Sequence, residues 1–167
     1  MSVALSRNPP RQLALPDEAA TAALAQRLAP ELEAGDLLAL WGDLGSGKTS
    51  FARALIRALA GAAEEEVPSP TFTLVQIYDG RPAPVWHFDL YRIRDPEEVL
   101  ELGWEQALAE AIVLVEWPER LGPLLPADRL DLRFAFGPQA DARRLELDGQ
   151  GRWGERLAAL ELQTGAA

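Results

Sequence analysis

Gly42-Asp43-Leu44-Gly45-Ser46-Gly47-Lys48-Thr49 places two glycines, a lysine and a threonine at the G-x-x-x-x-G-K-[ST] spacing of a phosphate-binding loop. Each fixed position has a chemical reason. Gly42 and Gly47, helped by Gly45, let the backbone curl so that successive N–H groups point at one polyphosphate. A helix starting where the loop ends adds its positive N-terminal pole. Lys48 is a compact charge for the β- and γ-phosphates, and the Thr49 hydroxyl is an oxygen ligand for Mg²⁺. Among the 16 lysines and arginines Lys48 is the only lysine. The planar fork of an arginine does not fit so small a loop, which accounts for one ammonium group in a chain otherwise supplied with guanidinium. At average residue usage the four fixed positions coincide by chance in below roughly 1% of chains of this length. Asp43, Leu44, Gly45, Ser46, Gly47, Lys48, Thr49 and Ser50 are therefore expected to cradle a nucleotide, with Lys48 also serving catalysis. A guanine-selecting N-K-x-D motif has no place here, because Lys48 is already used and the only asparagine is Asn8. The expected ligand is ATP, with ADP as product.

Hydrolysis at such a loop also needs carboxylates to hold Mg²⁺ and orient water. Two end predicted strands: Asp89 in His87-Phe88-Asp89-Leu90-Tyr91-Arg92, and Glu116 in Leu114-Val115-Glu116-Trp117. Asp89 has a blander alternative as a surface acid paired with Arg92 or Arg94. Glu116, emerging from an apolar strand, stands where the acid of a P-loop metal site belongs. The one histidine, His87, reads as a packed or hydrogen-bonded strand residue rather than a catalytic base, since transfer of phosphoryl to water does not require one. Trp117 either borders the nucleotide or a partner, or closes the core. Tyr91 and Arg92 are open between partner contact and ordinary strand ends, and Trp41, Trp104 and Trp153 read as core.

The loop, then Ser69-Pro70-Thr71-Phe72-Thr73-Leu74-Val75, then H-F-D-L-Y-R, D-P-E-E and Val115-Glu116-Trp117-Pro118, follow one another as in the TsaE (YjeE) family, which the chain resembles over about residues 12–148. The resemblance implies a Mg²⁺-dependent P-loop ATPase that serves threonylcarbamoyl modification of adenosine 37 in tRNAs reading ANN codons. It also implies TsaD and TsaB proteins as partners, with tRNA reached only through them. Carried over residue by residue, Thr49 and Glu116 become Mg²⁺ ligands, and Asp89 a second ligand or water-orienting acid. Thr71 falls in a switch-like loop facing the phosphates. Pro16-Asp17-Glu18 resembles a segment near the base, which points to Glu18; an acidic first helical turn complementing the helix dipole explains Glu18 equally well.

The elements that must position these groups follow from hydropathy patterning. Gln12–Leu15 is expected as a strand, and 17–29 as a helix ending near Pro30. Leu37–Trp41 is a compact apolar run fit for a buried strand, and a helix should run from the loop to about Ala60, with Phe51, Leu55 and Leu59 inward. Thr71–Tyr78 and Val85–Tyr91 read as strands joined by a turn at Asp79-Gly80. Asp95-Pro96-Glu97-Glu98 opens a helix with a capping box. Ala111–Trp117 is a second apolar strand, and Leu130–Phe136 and Arg143–Leu147 read as late antiparallel strands. Trp153, Leu157 and Leu160 mark a last helix. The sum is an α/β, three-layer P-loop NTPase-like fold with a mixed, partly antiparallel sheet. One domain over 1–167 is expected, with 1–11 a loose lead-in and 164–167 a frayed tail.

Composition narrows the function further. The chain has 167 residues, no cysteine and a formal net charge of −10. Without cysteine there is no thiolate metal site and no cysteine nucleophile. An acidic surface repels phosphate backbones, so neither DNA nor tRNA is expected to be held by this chain alone. The longest apolar stretch, 111–115, is too short to cross a bilayer, and the start has no apolar region of signal-peptide length; no membrane partner and a cytoplasmic location are expected. Two other functions compete with the ATPase. A small-molecule P-loop kinase needs an acceptor pocket and usually a mobile arginine-rich lid, and the one adjacent pair, Arg143-Arg144, lies in a predicted strand. A nucleotide-sensing module would bind without hydrolysis. No arginine is recognisable as a finger over the phosphates.

Overall fold

The computed structural model describes residues 8–61, 67 and 73–162. Seven strands form one sheet: β1 (Arg11–Leu15), β2 (Leu37–Trp41), β3 (Val75–Tyr78), β4 (Val85–Asp89), β5 (Ile112–Glu116), β6 (Arg129–Phe136) and β7 (Arg143–Gln150). Their spatial order is β1-β7-β6-β2-β5-β4-β3. β2, the strand entering the glycine-rich loop, is central and parallel to both β5 and β6. β4 is parallel to β5, while β1/β7, β6/β7 and β3/β4 are antiparallel.

Side-chain alternation along these strands builds two cores. Leu38 and Leu40 of β2 and Ile112 and Leu114 of β5 face α1 (Glu18–Leu28), α2 (Lys48–Ala60) and α4 (Trp153–Ala159). Leu37, Ala39, Val113, Val115, Trp86 and Phe88 face the opposite way, toward α3 (Trp104–Glu110) and the 3-10 segments Pro96–Leu102 and Pro118–Leu124. The expected three-layer α/β architecture is the one observed. α2 buries Phe51, Ala52, Leu55, Ile56 and Leu59 on one side and stops at Gly61, whose left-handed φ of 70° suits glycine. No helix among the described residues is long and apolar enough to cross a membrane.

Several expectations need correction. β1 begins at Arg11, one residue inside the expected lead-in, and Arg11 donates to the carbonyls of Leu157 and Leu160. β6 and β7 are the antiparallel pair expected, and β6 in addition runs parallel to its other neighbour, β2. Alternation reports which side chains face a core, not the direction of the adjoining strand. The capping box at Asp95 and Glu98 is present, but the segment it opens is a 3-10 helix that Gly103 ends at φ 87°. α4 stops at Ala159, because Leu160 is already extended. Strands β3, β4 and β5 are shorter than expected; the first part of the expected strand 71–78 lies outside the described residues, and at 73–74 Leu74 has φ 65°. Trp104 and Trp153 are fully buried, whereas Trp41 is half-buried. Its indole N–H donates to Asp131 (2.8 Å) and the Arg133 guanidinium stacks on the ring. The terminal residues 1–7 and 163–167 lie outside the described residues.

Candidate functional site

The C-terminal ends of the parallel strands β2, β4 and β5 meet at one rim of the sheet, where ligands of open α/β folds bind. β2 hands the chain directly to the glycine-rich loop, and the loop to α2. Gly42 has φ 141°, and a Cβ there would lie 2.6 Å from Ser46 Oγ and 2.7 Å from the Phe134 carbonyl. Only glycine lets the loop turn this tightly against β6. Gly47, at φ 113°, starts α2.

A cleft of about 600 Å³ opens over the loop. Leu44, Gly45, Gly47, Lys48, Thr49 and Ser50 line it from the loop and α2, Asp89 and Glu116 from the strand ends, and Glu18 from α1. Asp43 and Ser46 do not line it: Asp43 is exposed, Ser46 is buried, and together they close the turn through a bond from Ser46 N–H to the Asp43 carbonyl (3.1 Å). Thr71 lies outside the described residues. At the mouth, Asp17 caps α1 by accepting from Ala20 N–H (2.9 Å), and Ser50 Oγ donates to Glu18 Oε1 (3.2 Å).

Register puts the two acids side by side, since Asp89 pairs with Glu116 across β4 and β5. Glu116 is fixed from two directions: Thr49 Oγ1 donates to its Oε1 (2.9 Å), and His87 Nε2 lies 2.7 Å from its Oε2. Burial would raise its pKa, but the hydrogen bonds from His87 and Thr49 and the Lys48 ammonium together hold it below the ordinary value. Asp89 moves the other way. Burial and the neighbouring Glu116 charge raise it, against a bond from Tyr91 N–H to its Oδ1 (3.1 Å). Two adjacent carboxylates are thus driven apart in proton affinity.

Lys48 is almost completely buried, and its Nζ donates to the Gly42 carbonyl at 2.5 Å. The Trp117 ring stands 3.5 Å from the ammonium. Trp117 takes a left-handed backbone (φ 61°, ψ 51°) immediately after β5, which turns its side chain into the cleft, and the Tyr91 ring packs 5.0 Å away. Trp117 thus borders the cleft and, half-buried, also packs on the second core. Burial lowers the Lys48 pKa, against the charges of Glu116, Glu119, Asp89 and Asp43.

The fold gives a place at the site to a residue that the sequence reading weighed only as part of a lid and set aside. Arg143, at the start of β7, lines the cleft and donates to the Gly45 carbonyl (3.1 Å). An arginine thus adjoins the loop after all, 98 residues along the chain from Gly45; no local pattern ties it to the loop, because the β6–β7 hairpin carries it there. Asp141 joins it at the rim. Among the described residues no group of three or more His, Cys, Asp and Glu side chains is placed to hold a metal unaided.

Comparison with known proteins adds a family to this geometry. The family model described as "Threonylcarbamoyl adenosine biosynthesis protein TsaE" matches residues 15–145. The chain is 43% identical over 122 residues to the tRNA threonylcarbamoyladenosine biosynthesis protein TsaE of Rickettsia felis, covering 73% of this chain and 71% of that one. It is 36% identical over 138 residues to the protein of the same name from Nostoc, covering 80% and 82%. Among solved structures, the crystal structure of Bacillus subtilus YdiB aligns with a TM-score of 0.73 at 27% identity, over 90% of this chain and 93% of that one.

Proposed function

The chain belongs to the TsaE family of threonylcarbamoyl adenosine biosynthesis proteins, and we propose that within that biosynthesis it is the ATP-binding and ATP-hydrolysing component, dependent on Mg²⁺. The observation that carries this reading is the contact of Thr49 Oγ1 with Glu116 Oε1 at 2.9 Å, beside a lysine-bearing glycine loop. Two hard oxygens at that distance match adjacent ligands of an octahedral Mg²⁺, whose bonds of about 2.0–2.1 Å put neighbouring ligands about 2.9 Å apart. The donor set therefore fits the ion, with phosphate oxygens and water completing it. When bound, Mg²⁺ neutralises charge on the β- and γ-phosphates.

The chain's own groups do the rest. Backbone N–H groups of the loop and the start of α2 receive the phosphates. Lys48 exchanges its bond to the Gly42 carbonyl for a phosphate oxygen. Asp89, its Oδ1 occupied by Tyr91 N–H, keeps Oδ2 for the attacking water, and its raised proton affinity suits it to orient that water. Glu18 borders the end of the cleft where the base would lie. Family resemblance supplies the partners: TsaD and TsaB proteins, which carry out the transfer and hold tRNA, in the cytoplasm. The −10 charge argues that this chain adds little RNA affinity of its own.

Phosphate release from ATP tests the reading. Release that requires Mg²⁺, with water as acceptor and a rise on adding TsaD and TsaB proteins, is the expected result. Transfer to a small-molecule acceptor, or tight ATP binding with no release under any of these conditions, would reject it in favour of a kinase or a sensor.

A further inference from the structure

We infer that His87 is a positioning residue: it holds the Glu116 carboxylate in the orientation from which Glu116 and Thr49 together take Mg²⁺. The inference rests on the magnesium reading above.

His87 lies in the middle of β4, wholly buried, on the sheet face that meets α2. Its neighbours on that face are Val85, Ile112 and Leu114, all in the apolar core. Register sets it opposite Leu114, two residues short of Asp89 and, across the ladder, of Glu116. An imidazole among aliphatic side chains costs desolvation that a leucine would not, so this position needs a compensating bond. It makes one. Nε2 meets Glu116 Oε2 at 2.7 Å, while Nδ1 finds no partner among the described residues. A buried N–H without an acceptor is costlier than a buried lone pair, so the proton belongs on Nε2 and is donated to Glu116.

The consequence is geometric. With Oε2 pinned from the core side by His87, the carboxylate cannot rotate about its terminal torsion, which is otherwise soft. Oε1 is then the oxygen left at the cleft, beside the Thr49 hydroxyl. Partners that orient a metal-binding side chain from behind commonly change metal affinity by about 10- to 100-fold when removed. His87 is also rigidly placed, because its own strand is fully buried over Val85–Asp89. The device thus ties the metal side of the site to the sheet, independently of the loop.

Calorimetry with ADP as probe, in Mg²⁺ and in EDTA, separates this role from mere packing. Wild type should bind ADP more tightly in Mg²⁺. His87→Leu should lose about tenfold or more of that gain, with affinity in EDTA unchanged within about twofold. His87→Gln, whose amide N–H reaches about as far as Nε2, should recover most of it. A His87→Leu protein with the full Mg²⁺ gain, or one weakened equally in both buffers, overturns the inference. A wild type with no Mg²⁺ gain overturns the magnesium reading itself, and this inference falls with it. Should His87→Leu fail to fold, wild type still decides the matter, because the chain has one histidine and one set of imidazole signals. Long-range ¹H–¹⁵N spectra should show the Nε2–H tautomer, with its resonances shifting when Mg²⁺ joins the ADP complex. An Nδ1–H tautomer, or an imidazole indifferent to Mg²⁺, overturns the inference.

Discussion

Replacing Lys48 by methionine should weaken nucleotide binding without weakening the fold. A charge-assisted bond to phosphate contributes about 1.5–3 kcal/mol. The ammonium, however, already has the Gly42 carbonyl at 2.5 Å and the Trp117 ring at 3.5 Å, contacts that a phosphate would have to replace. The net loss should therefore fall in the lower part of that range, at about 1.5–2 kcal/mol, or roughly 13- to 30-fold in ADP affinity. Stability should respond with the opposite sign or not at all. Burial lowers the Lys48 pKa, so folding disfavours its charged form, and at neutral pH the unfolded chain is the better host for the ammonium. Methionine keeps an unbranched side chain only one atom shorter and removes that cost. Calorimetric titration with ADP and thermal melts measure the two effects. Undiminished ADP affinity would refute the assignment of Lys48 to phosphate. A melting temperature more than about 4 °C lower, equivalent to about 1 kcal/mol or more for a chain of this size, would show that the lysine supports the fold and refute the argument from burial.

Gly42→Ala should cost at least about 1–3 kcal/mol of stability and remove ATP binding, because the new Cβ meets Ser46 Oγ and the Phe134 carbonyl; unchanged chemical melts would contradict this. Glu116→Ala should lower Mg²⁺-dependent affinity and turnover together, whereas Asp89→Asn should lower turnover far more than affinity; identical kinetic profiles would mean the roles are divided wrongly. Trp117→Gly should be more stable than Trp117→Ala by about 1 kcal/mol, since both lose the ring but only glycine accepts φ 61° without strain, and equal melts would deny the strain. Glu98 accepts from the backbone N–H groups of Arg94 and Asp95, which lowers its pKa. A carboxylate lowered by folding stabilises above its unfolded pKa and loses that contribution as pH falls through the folded one. Glu98→Gln should therefore lower the melting temperature at pH 7, and the gap to wild type should close in acid; a gap independent of pH would refute it.

The glycine-rich loop was legible in the sequence because its whole pattern lies within eight consecutive residues, and local backbone geometry follows from glycine placement alone. The helix after it was equally legible, since its burial pattern repeats at helical spacing and Gly61 stops it. Asp89 and Glu116 could be found as acids ending apolar strands. That they sit in register, with opposite shifts in proton affinity, depends on β4 and β5 being parallel neighbours, which no stretch of either strand specifies.

The same division runs through the rest of the molecule. His87 could be read as a hydrogen-bonded strand residue, but its partner is 29 positions away and known only from the ladder. Arg143 was noticed only as half of an arginine pair in a strand, and nothing local tied it to the loop, because its place beside Gly45 results from the β6–β7 hairpin folding back along the sheet. The parallel pairing of β6 with β2 was missed because alternation encodes which face is buried and is silent on strand direction. The sequence by itself determined the spacing of the glycine-rich loop, the alternation of buried elements and the likeness to one family, since those reside in composition and short-range spacing. Only the tertiary structure decided which acid is held by which donor and which arginine adjoins the loop, because hydrogen bonding and desolvation act over a few ångströms in space between residues that the chain keeps far apart.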